Sequence, residues 1–533
     1  MKTYDYIIVG GGSAGCVLAN RLSESGHNKV LLLEAGPSDD TPLARAPMGM
    51  FRTYQNTKYT WMFWTRPEKT QNDRLVYCPQ GKMLGGGSSI NAMLYIRGQA
   101  EDYDSWEAQG NKGWGYQHIL PYFKKAQNQT RGADDYHGSG GPLHVRDIER
   151  PSSSSERLIL AAMQAGYPYN PDFNGEQQEG VGAYQVTMKG RQRCSAAQGY
   201  LQPVMGRSNL AVVTGAEVSE IITRDGKAEG VSYSTAEQTC SATASKEVII
   251  SAGAFRSPQL LMLSGIGPRD ELEKHGIDVV HDLQGVGQNL QEHCDLVIAT
   301  DSKTEDTMAL TPKVVLKWLI DLVKYNLGLP GMISSLLVES GGFIRSDPAQ
   351  TTPDIQLQST NSLFGNHGMD RAILRNYGYS LHVTLLRPKS RGRVTLKNSY
   401  YRSPPDIQLN MLDHADDVKA LIGGVKQARN ILAQDAFNCS RGEEIYPGKD
   451  VQTDEQLEAF LRQEANHIYH PVGSCKMGND ELAVVDERLR VHGMVGLRVV
   501  DASIMPTIVS GNTNAPVMAI AEKAADLILA DNE

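Results

Sequence analysis

The sequence is poor in cysteine. It has seven cysteines in 533 residues, an odd number, and none of them forms a C-x-x-C pair. A disulfide framework needs paired cysteines, and structural zinc sites use closely spaced cysteine or histidine ligands. We therefore expect neither feature, and the cysteine content is typical of a protein in a reducing compartment.

Basic tracts and long apolar runs are also missing. Lys and Arg number 52 against 61 Asp and Glu, which gives a formal net charge of −9. Since sequence-independent nucleic-acid binding needs a basic surface, we expect no nucleic-acid partner. No apolar run approaches the roughly eighteen residues of a membrane-spanning helix. The N-terminus lacks the apolar region of a secretory signal, so we expect a cytoplasmic protein.

Glycine is abundant by contrast, with 52 residues, and its first cluster lies in a strand–turn–helix–strand pattern. The apolar run 4–9 precedes the cluster, a segment with helical spacing follows it, and a second apolar run ends at Glu34. This pattern predicts a βαβ unit of a parallel sheet. The runs 247–251 and 497–501 predict further strands of the same sheet, so distant segments would assemble one nucleotide-binding domain.

The middle of the chain has a different pattern. Residues 300–460 contain strand-like segments and amphipathic helices such as 416–434. They predict a second domain with a mostly antiparallel sheet and helices. The expected fold class is α/β, with a Rossmann-like first domain and an α+β second domain. The predicted ranges are 1–155, 201–300 and 461–533 for the first domain and 156–200 and 301–460 for the second.

Segment 312–337 allows two interpretations. Lys313, Lys317 and Lys324 interrupt a stretch rich in aliphatic residues that also contains Trp318. The preferred interpretation is a helix packed over the second domain. The alternative is an interfacial helix lying on a membrane surface, since basic and apolar residues alternate in this way in such helices.

The first glycine cluster contains Gly10, Gly12 and Gly15, which gives G-x-G-x-x-G. In dinucleotide-binding proteins the first glycine permits a tight turn, the second lets the backbone approach the pyrophosphate, and the third lets the helix pack on the strand. Glu34, at the end of the next strand, is placed to accept ribose hydroxyls. We therefore predict a dinucleotide site here, with Ser13 bonded to a phosphate.

A second motif overlaps the first. Residues 11–15 also match G-x-S-x-G, the nucleophile turn of serine hydrolases. That turn needs strands and an oxyanion loop before it, and only twelve residues precede Ser13. The hydrolase interpretation is therefore disfavoured.

Three further segments carry chemically informative residues. Segment 81–91 is rich in glycine and serine and offers backbone to a flat ring or a phosphate. Segment 253–267 predicts a strand end, a helix and a turn. In segment 467–478, His467 and His470 have no carboxylate at ligand spacing, so a metal site is disfavoured. His470 precedes a proline that restricts the chain, which makes it a candidate general base.

Taken together, the segments resemble the glucose–methanol–choline (GMC) family of flavin-dependent alcohol oxidoreductases, and the likeness covers almost the whole chain. The segments that carry it are YDYIIVGGGSAG (4–15), GKMLGGGSSINAMLYIRG (81–98), GAFRSPQLLMLSGIG (253–267), GVGQNLQEH (285–293), YHPVGSCKMG (469–478) and RVVDASIMP (498–506) with GNTNAP (511–516).

The resemblance implies a cofactor, FAD, and a set of site residues. His470 corresponds to the active-site histidine of the family and Asn512 to its partner, a position where other members carry histidine. Some members attach the flavin through a histidine at the position of Ile90, so the FAD of this chain is expected to be non-covalent. The residues assigned to FAD are Gly10, Gly12, Ser13, Ala14, Gly15, Glu34, Ala35, Gly85, Ser88, Asn91, Ala92, Met93, Leu94, Val218, Asp501, Ala502 and Thr513.

The function that the resemblance implies is oxidation of an alcohol. His470 would accept the hydroxyl proton while hydride leaves for flavin N5. The motifs are most similar to those of bacterial primary-alcohol, polyol and choline dehydrogenases, so we expect a primary alcohol as substrate and a quinone or similar electron acceptor, with peripheral contact to the inner membrane.

Several alternatives stay open. They are an oxygen-using alcohol oxidase, a choline, polyol or sugar dehydrogenase, and a non-redox flavoprotein such as a lyase. A cationic substrate would need carboxylates and aromatic rings in its pocket, and Glu339 is one candidate carboxylate. We prefer an uncharged alcohol.

Overall fold

The computed structural model describes residues 2–148, 151–309, 311, 320–324, 327, 336–365 and 373–532. Its α-helices are α1 (Ser13–Leu22), α2 (Pro42–Arg45), α3 (Met50–Thr53), α4 (Ala100–Ala108), α5 (Tyr116–Ala126), α6 (Ser153–Gln164), α7 (Gly253–Leu263), α8 (Arg269–Lys274), α9 (Ala415–Leu432), α10 (Asp454–Glu464) and α11 (Asn514–Asp531). Short 3₁₀ helices at Gly86–Ser89 and Ala502–Ile504 contribute to the site.

The strands are β1 (Lys2–Val9), β2 (Val30–Glu34), β3 (Thr60–Trp64), β4 (Tyr77–Gly81), β5 (Gln127–Gln129), β6 (Leu143–Asp147), β7 (Gly180–Ala183), β8 (Gln185–Val186), β9 (Met188–Lys189), β10 (Gln192–Arg193), β11 (Leu210–Thr214), β12 (Glu217–Arg224), β13 (Lys227–Ser234), β14 (Thr239–Ile250), β15 (Ile266–Gly267), β16 (His281–Asp282), β17 (Cys294–Ser302), β18 (Val338–Ile344), β19 (Ile355–Thr360), β20 (Gly378–Leu385), β21 (Arg393–Thr395), β22 (Asp406–Gln408), β23 (Arg441–Tyr446), β24 (Asn466–His467) and β25 (Leu497–Val499).

The first large sheet has the order β11-β2-β1-β14-β13-β12, and β25 pairs with β14. Five of its strands pair in parallel, namely β11, β2, β1, β14 and β25. Strand β13 pairs antiparallel with both β14 and β12. All five residues of β2 are buried. Strands covered on both faces need apolar residues throughout, which explains the continuous apolar run VLLL before Glu34. The predicted Rossmann-like sheet from distant segments is therefore confirmed.

Helix α1 packs on β1 and β2 of this sheet, and α11 packs against α1 and α5. Most residues of both helices are buried, so their sequences are apolar or small nearly all round. Arg21 of α1 donates to the Oε1 of Glu522 on α11 over 2.7 Å. The C-terminal helix is thereby held beside the first helix of the chain.

The second large sheet has the order β23-β17-β20-β19-β18-β7, with β24 paired to β17, and every pairing is antiparallel. Helix α9 covers one face with Val418, Leu421, Val425 and Ala428. These residues recur at the spacing of one helix face. The antiparallel second domain predicted from residues 300–460 is confirmed in this part of the chain.

Some predicted details differ from the structure. Strand β21, which lies within the strand-like range 300–460, pairs with β22 in a separate two-stranded sheet and not with the second large sheet. The exact domain ranges remain a prediction. Strand β17, which begins at Cys294, and β24 at 466–467 belong to the second sheet, although they fall in ranges assigned to the first domain.

Most of segment 312–337 lies outside the described residues. The described part includes Ile320, Leu322, Val323 and Leu327, which are all exposed. Among the residues that the structure describes, no helix is both long enough and apolar enough to cross a membrane.

Candidate active site

A cavity of about 360 Å³ lies where the parallel strands of the first sheet end. Val9, Glu34, Ser251 and Asp501, which end or follow four of these strands, all line it. Ligands of open parallel sheets bind at this edge. The volume falls in the range of about 300–1,000 Å³ that is usual for small-molecule and cofactor sites.

The glycines of the first cluster have the tight turn and the close contacts that the motif requires. Gly10 has a φ of +105°, and a Cβ on it would lie 2.4 Å from the carbonyl oxygen of Ser251. A Cβ on Gly15 would lie 1.9 Å from the oxygen of Gly10. Gly12 lines the cavity, and a Cβ there would have no neighbour closer than 3.9 Å. The turn therefore presents bare backbone to the cavity.

Three helix N-termini meet at the cavity. Ser13 begins α1, Gly253 begins α7 and Asn514 begins α11, and all three residues line the cavity. The Oγ of Ser13 donates to Oδ1 of Asn514 over 2.7 Å. Helix N-termini carry free N–H groups and partial positive charge, so their convergence favours an anionic ligand such as a pyrophosphate.

Glu34 lines the same end of the cavity and organises the backbone around it. Its Oε2 accepts the N–H of Gly11 and its Oε1 accepts the N–H of Gly36, both over 2.8 Å. Burial raises the pKa of Glu34, and the two amide N–H groups oppose this effect. Each carboxylate oxygen keeps a second lone pair for a hydroxyl donor.

Asp501 connects β25 to the start of α7. Its Oδ2 accepts the N–H of Gly253 over 2.9 Å and the hydroxyl of Ser257 over 2.6 Å. Its Oδ1 accepts the N–H and the hydroxyl of Ser503 over 2.8 and 2.6 Å. Because Asp501 and Ala502 both line the cavity, this carboxylate shapes the wall between two strand ends.

Residues 91–94 form another part of the wall, and all four line the cavity. Met93 has a φ of +68°. Its N–H donates to the Oδ1 of Asn91 over 3.0 Å, and the Nη1 of Arg193 donates to the same oxygen over 2.6 Å. Burial lowers the pKa of Arg193 to about 9. The segment is therefore held by a guanidinium behind it.

His470 and Asn512 meet in the cavity wall. The Nδ2 of Asn512 lies 3.1 Å from the Nε2 of His470, and Asn512 Oδ1 accepts from the Nε2 of Gln356 over 3.2 Å. On its other side, His470 Nδ1 lies 3.0 Å from the Nδ1 of His293. Both residues of the predicted pair line the cavity.

The surroundings keep this imidazole neutral. Burial first, and then His293 and His467, lowers the pKa of His470 well below its usual value. Burial also lowers the pKa of His293 to about 4. A neutral imidazole facing a cavity can accept a proton, so the electrostatics fit a general base.

Glu292 accepts hydrogen bonds from the backbone of His470 and of His293. Its Oε1 accepts the N–H of His470 over 2.7 Å and that of His293 over 3.0 Å. Its Oε2 lies 3.0 Å from the Nδ1 of His467. Burial lowers the pKa of His467, but Cys78 and Glu292 outweigh it and raise this pKa well above the usual value. His467 is thus a buried partner of Glu292.

The cavity wall near His470 is mostly uncharged. Leu337, Val338, Gln358, Thr360 and Phe364 line it. The charged residues among its described lining are Glu34, Glu217, Arg256 and Asp501, which follow or neighbour strand ends of the first sheet. The described residues contain no group of three or more His, Cys, Asp or Glu arranged to hold a metal ion.

His382 also lines the cavity and covers a carboxylate. Its Nδ1 donates to the Oδ2 of Asp295 over 2.7 Å, and the hydroxyl of Thr384 donates to Oδ1 over 2.6 Å. Both oxygens of Asp295 are therefore engaged. Glu339, the carboxylate considered from the sequence, accepts instead from the N–H of Ser152 over 2.7 Å and is not among the described residues that line the cavity.

The cavity brings together nearly all the site residues predicted from the sequence. Gly15, Gly85 and Ser88 do not line it. Gly15 allows the close contact inside the turn. Ser88 accepts the N–H of Ala196 over 2.9 Å and donates to the oxygen of Gly85 over 2.5 Å. Ser88 and Gly85 therefore stabilise segment 81–91 without lining the cavity.

Sequence reasoning missed other residues of the site. His293 and Glu292 belong to a segment noted in the resemblance, but no spacing signal assigned them a role. Gln356 lies on a buried strand and has no local signature. Arg256 also lines the cavity. Its guanidinium carbon lies 4.3 Å from the centre of the Trp61 ring.

Comparison with known proteins supports the resemblance. The family models described as GMC oxidoreductase match residues 4–295 and 388–521. An alcohol dehydrogenase [acceptor] of Pseudomonas putida is 44% identical, with 99% of this chain and 96% of the relative covered. Mitochondrial choline dehydrogenase of Mus musculus is 43% identical, with 98% and 89% covered.

A solved structure agrees as well. A variant of the formate oxidase of Aspergillus oryzae, used to study FAD modification, has a TM-score of 0.92 and 28% identity, with 99% of this chain and 98% of that chain covered. The bare glycine turn and the three helix N-termini of the cavity fit such a cofactor, because FAD carries a pyrophosphate that needs backbone N–H groups.

Proposed function

Because the chain belongs to the GMC oxidoreductase family and is an FAD-dependent oxidoreductase, we propose that it oxidises an uncharged primary alcohol to the aldehyde and transfers the electrons to a quinone or a similar acceptor. The observation that carries this proposal is the pair of His470 and Asn512 in the wall of one cavity with the glycine turn of a dinucleotide site.

The residues that would hold FAD follow from the cavity. Gly12, Ser13 and the start of α1 would bind the pyrophosphate, Glu34 a ribose, and residues 91–94 would lie against the flavin ring. When bound, FAD supplies a two-electron acceptor for hydride. Ile90 lines the cavity, and its hydrocarbon side chain offers no atom for a covalent bond to flavin, so the cofactor would be dissociable.

His470 acts as the general base. A hydroxyl placed at its Nε2 loses its proton to the imidazole, and the alkoxide character of the oxygen favours departure of hydride from the carbinol carbon. Asn512, whose Nδ2 lies beside the same nitrogen, donates to the substrate oxygen and keeps it in place. General-base catalysis of this kind contributes about 10²–10⁴-fold to the rate.

The choice of an uncharged alcohol rests on the wall near His470. Among the residues that the second sheet contributes, Val338, Gln358 and Thr360 offer an apolar side chain, an amide and a hydroxyl but no carboxylate. The buried carboxylate behind it, Asp295, is already bonded to His382 and Thr384. Aromatic rings that favour a quaternary ammonium are present, since Phe364 and Tyr469 line the cavity. The choice therefore rests on the carboxylates of the described lining, Glu34, Glu217 and Asp501, which lie at or beside strand ends of the first sheet. Choline oxidation is the second candidate, because a relative with 43% identity is a choline dehydrogenase.

The acceptor proposal rests on the Pseudomonas putida relative, an alcohol dehydrogenase [acceptor]. We also propose peripheral membrane contact through segment 312–337, supported by the exposure of Ile320, Leu322, Val323 and Leu327. Sedimentation with anionic vesicles tests the contact, and a Leu322→Ser/Val323→Ser variant should sediment less. If the wild type and the variant remain in the supernatant to the same extent, the proposed membrane contact is refuted.

The experiment on substrate is an anaerobic titration of the purified holoenzyme, followed at the visible flavin absorbance band. Primary alkanols should bleach the band. Choline and its uncharged isostere 3,3-dimethyl-1-butanol form a matched pair, and the isostere should bleach faster. Faster bleaching by choline would overturn the choice of substrate, and bleaching by no alcohol would overturn the function.

Two further measurements complete the test. Reoxidation of the bleached enzyme by a soluble quinone should be much faster than by air, whereas rapid reoxidation by air would identify an oxidase. The His470→Gln variant with full FAD content should bleach about 10²–10⁴-fold more slowly. An unchanged rate in that variant would refute the role of His470.

A further inference from the structure

We propose that His293 is a positioning residue that fixes His470 in the tautomer with its proton on Nδ1 and its lone pair on Nε2, facing the substrate. The inference rests on the proposed role of His470 as the base. His293 itself lies behind His470 and does not line the described cavity.

The backbone carbonyl of Leu386 determines which nitrogen of His293 carries the proton. The Nε2 of His293 lies 3.1 Å from the oxygen of Leu386. A carbonyl oxygen only accepts hydrogen bonds, so this nitrogen carries a proton. Because burial lowers the pKa of His293 to about 4, the ring is neutral near pH 7, and its Nδ1 is left with a lone pair.

That lone pair determines the tautomer of His470. The two Nδ1 atoms are 3.0 Å apart, and the rings are perpendicular, with centroids 5.2 Å apart. One nitrogen of such a pair must donate, and since His293 Nδ1 has no proton, His470 Nδ1–H is the donor. The neutral His470 then has an unprotonated Nε2.

The next hydrogen bonds run in the same direction. The Nδ2 of Asn512 faces the Nε2 of His470 over 3.1 Å and can only donate. The Oδ1 of Asn512 accepts from Gln356 over 3.2 Å. From Leu386 to Gln356 every donor meets an acceptor, and the unprotonated nitrogen of His470 is its Nε2, which accepts from Asn512 until a substrate hydroxyl takes that place.

The backbone keeps the two rings in register. Glu292 accepts the N–H of both His293 and His470 on a single oxygen. Strand β17, which follows His293, pairs with β24, which precedes His470, through Cys294 and His467. His293 is fully buried, with 0% exposed, so bulk water does not compete for its Nδ1, and the carbonyls that interact with its ring are those of Leu386 and Val509.

The consequence for catalysis is large. Without an acceptor at Nδ1, His470 is free to carry its proton on Nε2, and this tautomer cannot accept a hydroxyl proton. In the serine-protease triad, loss of the group that fixes the histidine tautomer lowers kcat by about 10⁴-fold. A side chain that touches neither substrate nor cofactor would therefore control turnover.

Three substitutions of His293 test its two hydrogen bonds independently, the one accepted at Nδ1 and the one donated from Nε2. In His293→Asn the amide oxygen reaches the position of Nδ1, so the acceptor is kept. In His293→Gln the amide reaches the position of Nε2, so the bond to Leu386 is kept and the acceptor is lost. His293→Leu removes both. We expect the rate of anaerobic flavin bleaching to fall at least about 100-fold in His293→Gln and His293→Leu, and less than about tenfold in His293→Asn.

The pH profile distinguishes positioning from electrostatics. The titratable groups facing His470 are His293, His467 and Glu292. Loss of the correct tautomer lowers the plateau of the bleaching rate at every pH, with KM and FAD content little changed. A plateau at the wild-type level in His293→Gln, with only the acidic limb displaced, would overturn the proposal.

The tautomer can be observed directly by ¹⁵N NMR of the holoenzyme labelled at histidine. The signals of His470 are identified by their absence in His470→Gln. We expect Nε2 to have a pyridine-type shift in the wild type and a pyrrole-type shift in His293→Gln, and a pyrrole-type Nε2 in the wild type would refute the inference. If His470→Gln keeps full turnover, the proposed function fails instead, which is a separate outcome.

Discussion

Asp501→Asn is the substitution whose effect the structure defines best. The carboxylate accepts four hydrogen bonds, two from the start of α7 and two from Ser503. Asparagine has only one acceptor oxygen. Either the two donors of Ser503 or the two donors at the start of α7 must therefore face its NH₂ group. The hydroxyl of either pair can turn and accept, but the N–H group cannot.

The magnitude follows from this count. A buried N–H left without an acceptor costs about 1–3 kcal/mol. The remaining bonds lose their charge assistance, which roughly doubles their strength in the wild type. The sum is about 2–4 kcal/mol. Since unfolding entropy is near 2.1 cal/mol/K per residue, the thermal midpoint of this chain should fall by roughly 2–4 °C.

The assay is thermal unfolding of the FAD-free and FAD-bound forms, with Ser503→Ala as the matched control. That variant removes one hydroxyl and leaves all backbone N–H groups bonded, so its midpoint should fall by about 1 °C or less. Asp501→Asn should also retain less FAD through gel filtration. If its midpoint equals that of Ser503→Ala and its FAD content equals that of the wild type, the assigned role of Asp501 is wrong.

Three further predictions concern the cofactor and the base. Gly15→Ala places a Cβ 1.9 Å from the oxygen of Gly10, so the flavin-to-protein absorbance ratio should drop sharply. The open site Gly206 serves as the control, and a yellow Gly15→Ala protein would contradict the prediction. Because burial lowers the pKa of His470, the base is neutral above that pKa and charged below it. The bleaching rate should therefore be flat from about pH 6 to 8 and fall only in more acidic buffer, and stopped-flow measurement of a limb centred near neutrality would contradict this. Since Ile90 offers no bonding atom, denaturation in acid should release all flavin into the supernatant, and flavin that stays in the pellet would show a covalent link.

Much of the first domain could be predicted from the sequence because its signals are local. The turn at 10–15 and the strands 4–9 and 30–34 lie within one short segment, and their apolar runs and glycine spacing follow from buried parallel strands. Two later strands of the sheet, at 247–251 and 497–501, were also predicted from their apolar runs, whereas β11, β12 and β13 were not.

The inner part of the site could not be predicted in this way. His293, Gln356 and His470 come from three distant segments, and only the pairing of β17, β19 and β24 within the second sheet brings them near one another. Nothing in their local sequence marks the direction of the hydrogen bonds. That direction depends on the carbonyl of Leu386, a backbone atom that no residue pattern reveals.

The order of the strands has a consequence for biosynthesis. The first sheet takes two strands from the beginning of the chain, the next four from its middle, and β25 from residues 497–499. The last helix, α11, then packs on the first. A nascent polypeptide therefore lacks one wall of the flavin pocket until β25 has been synthesised, and a chain shortened before β25 would remain an apoprotein.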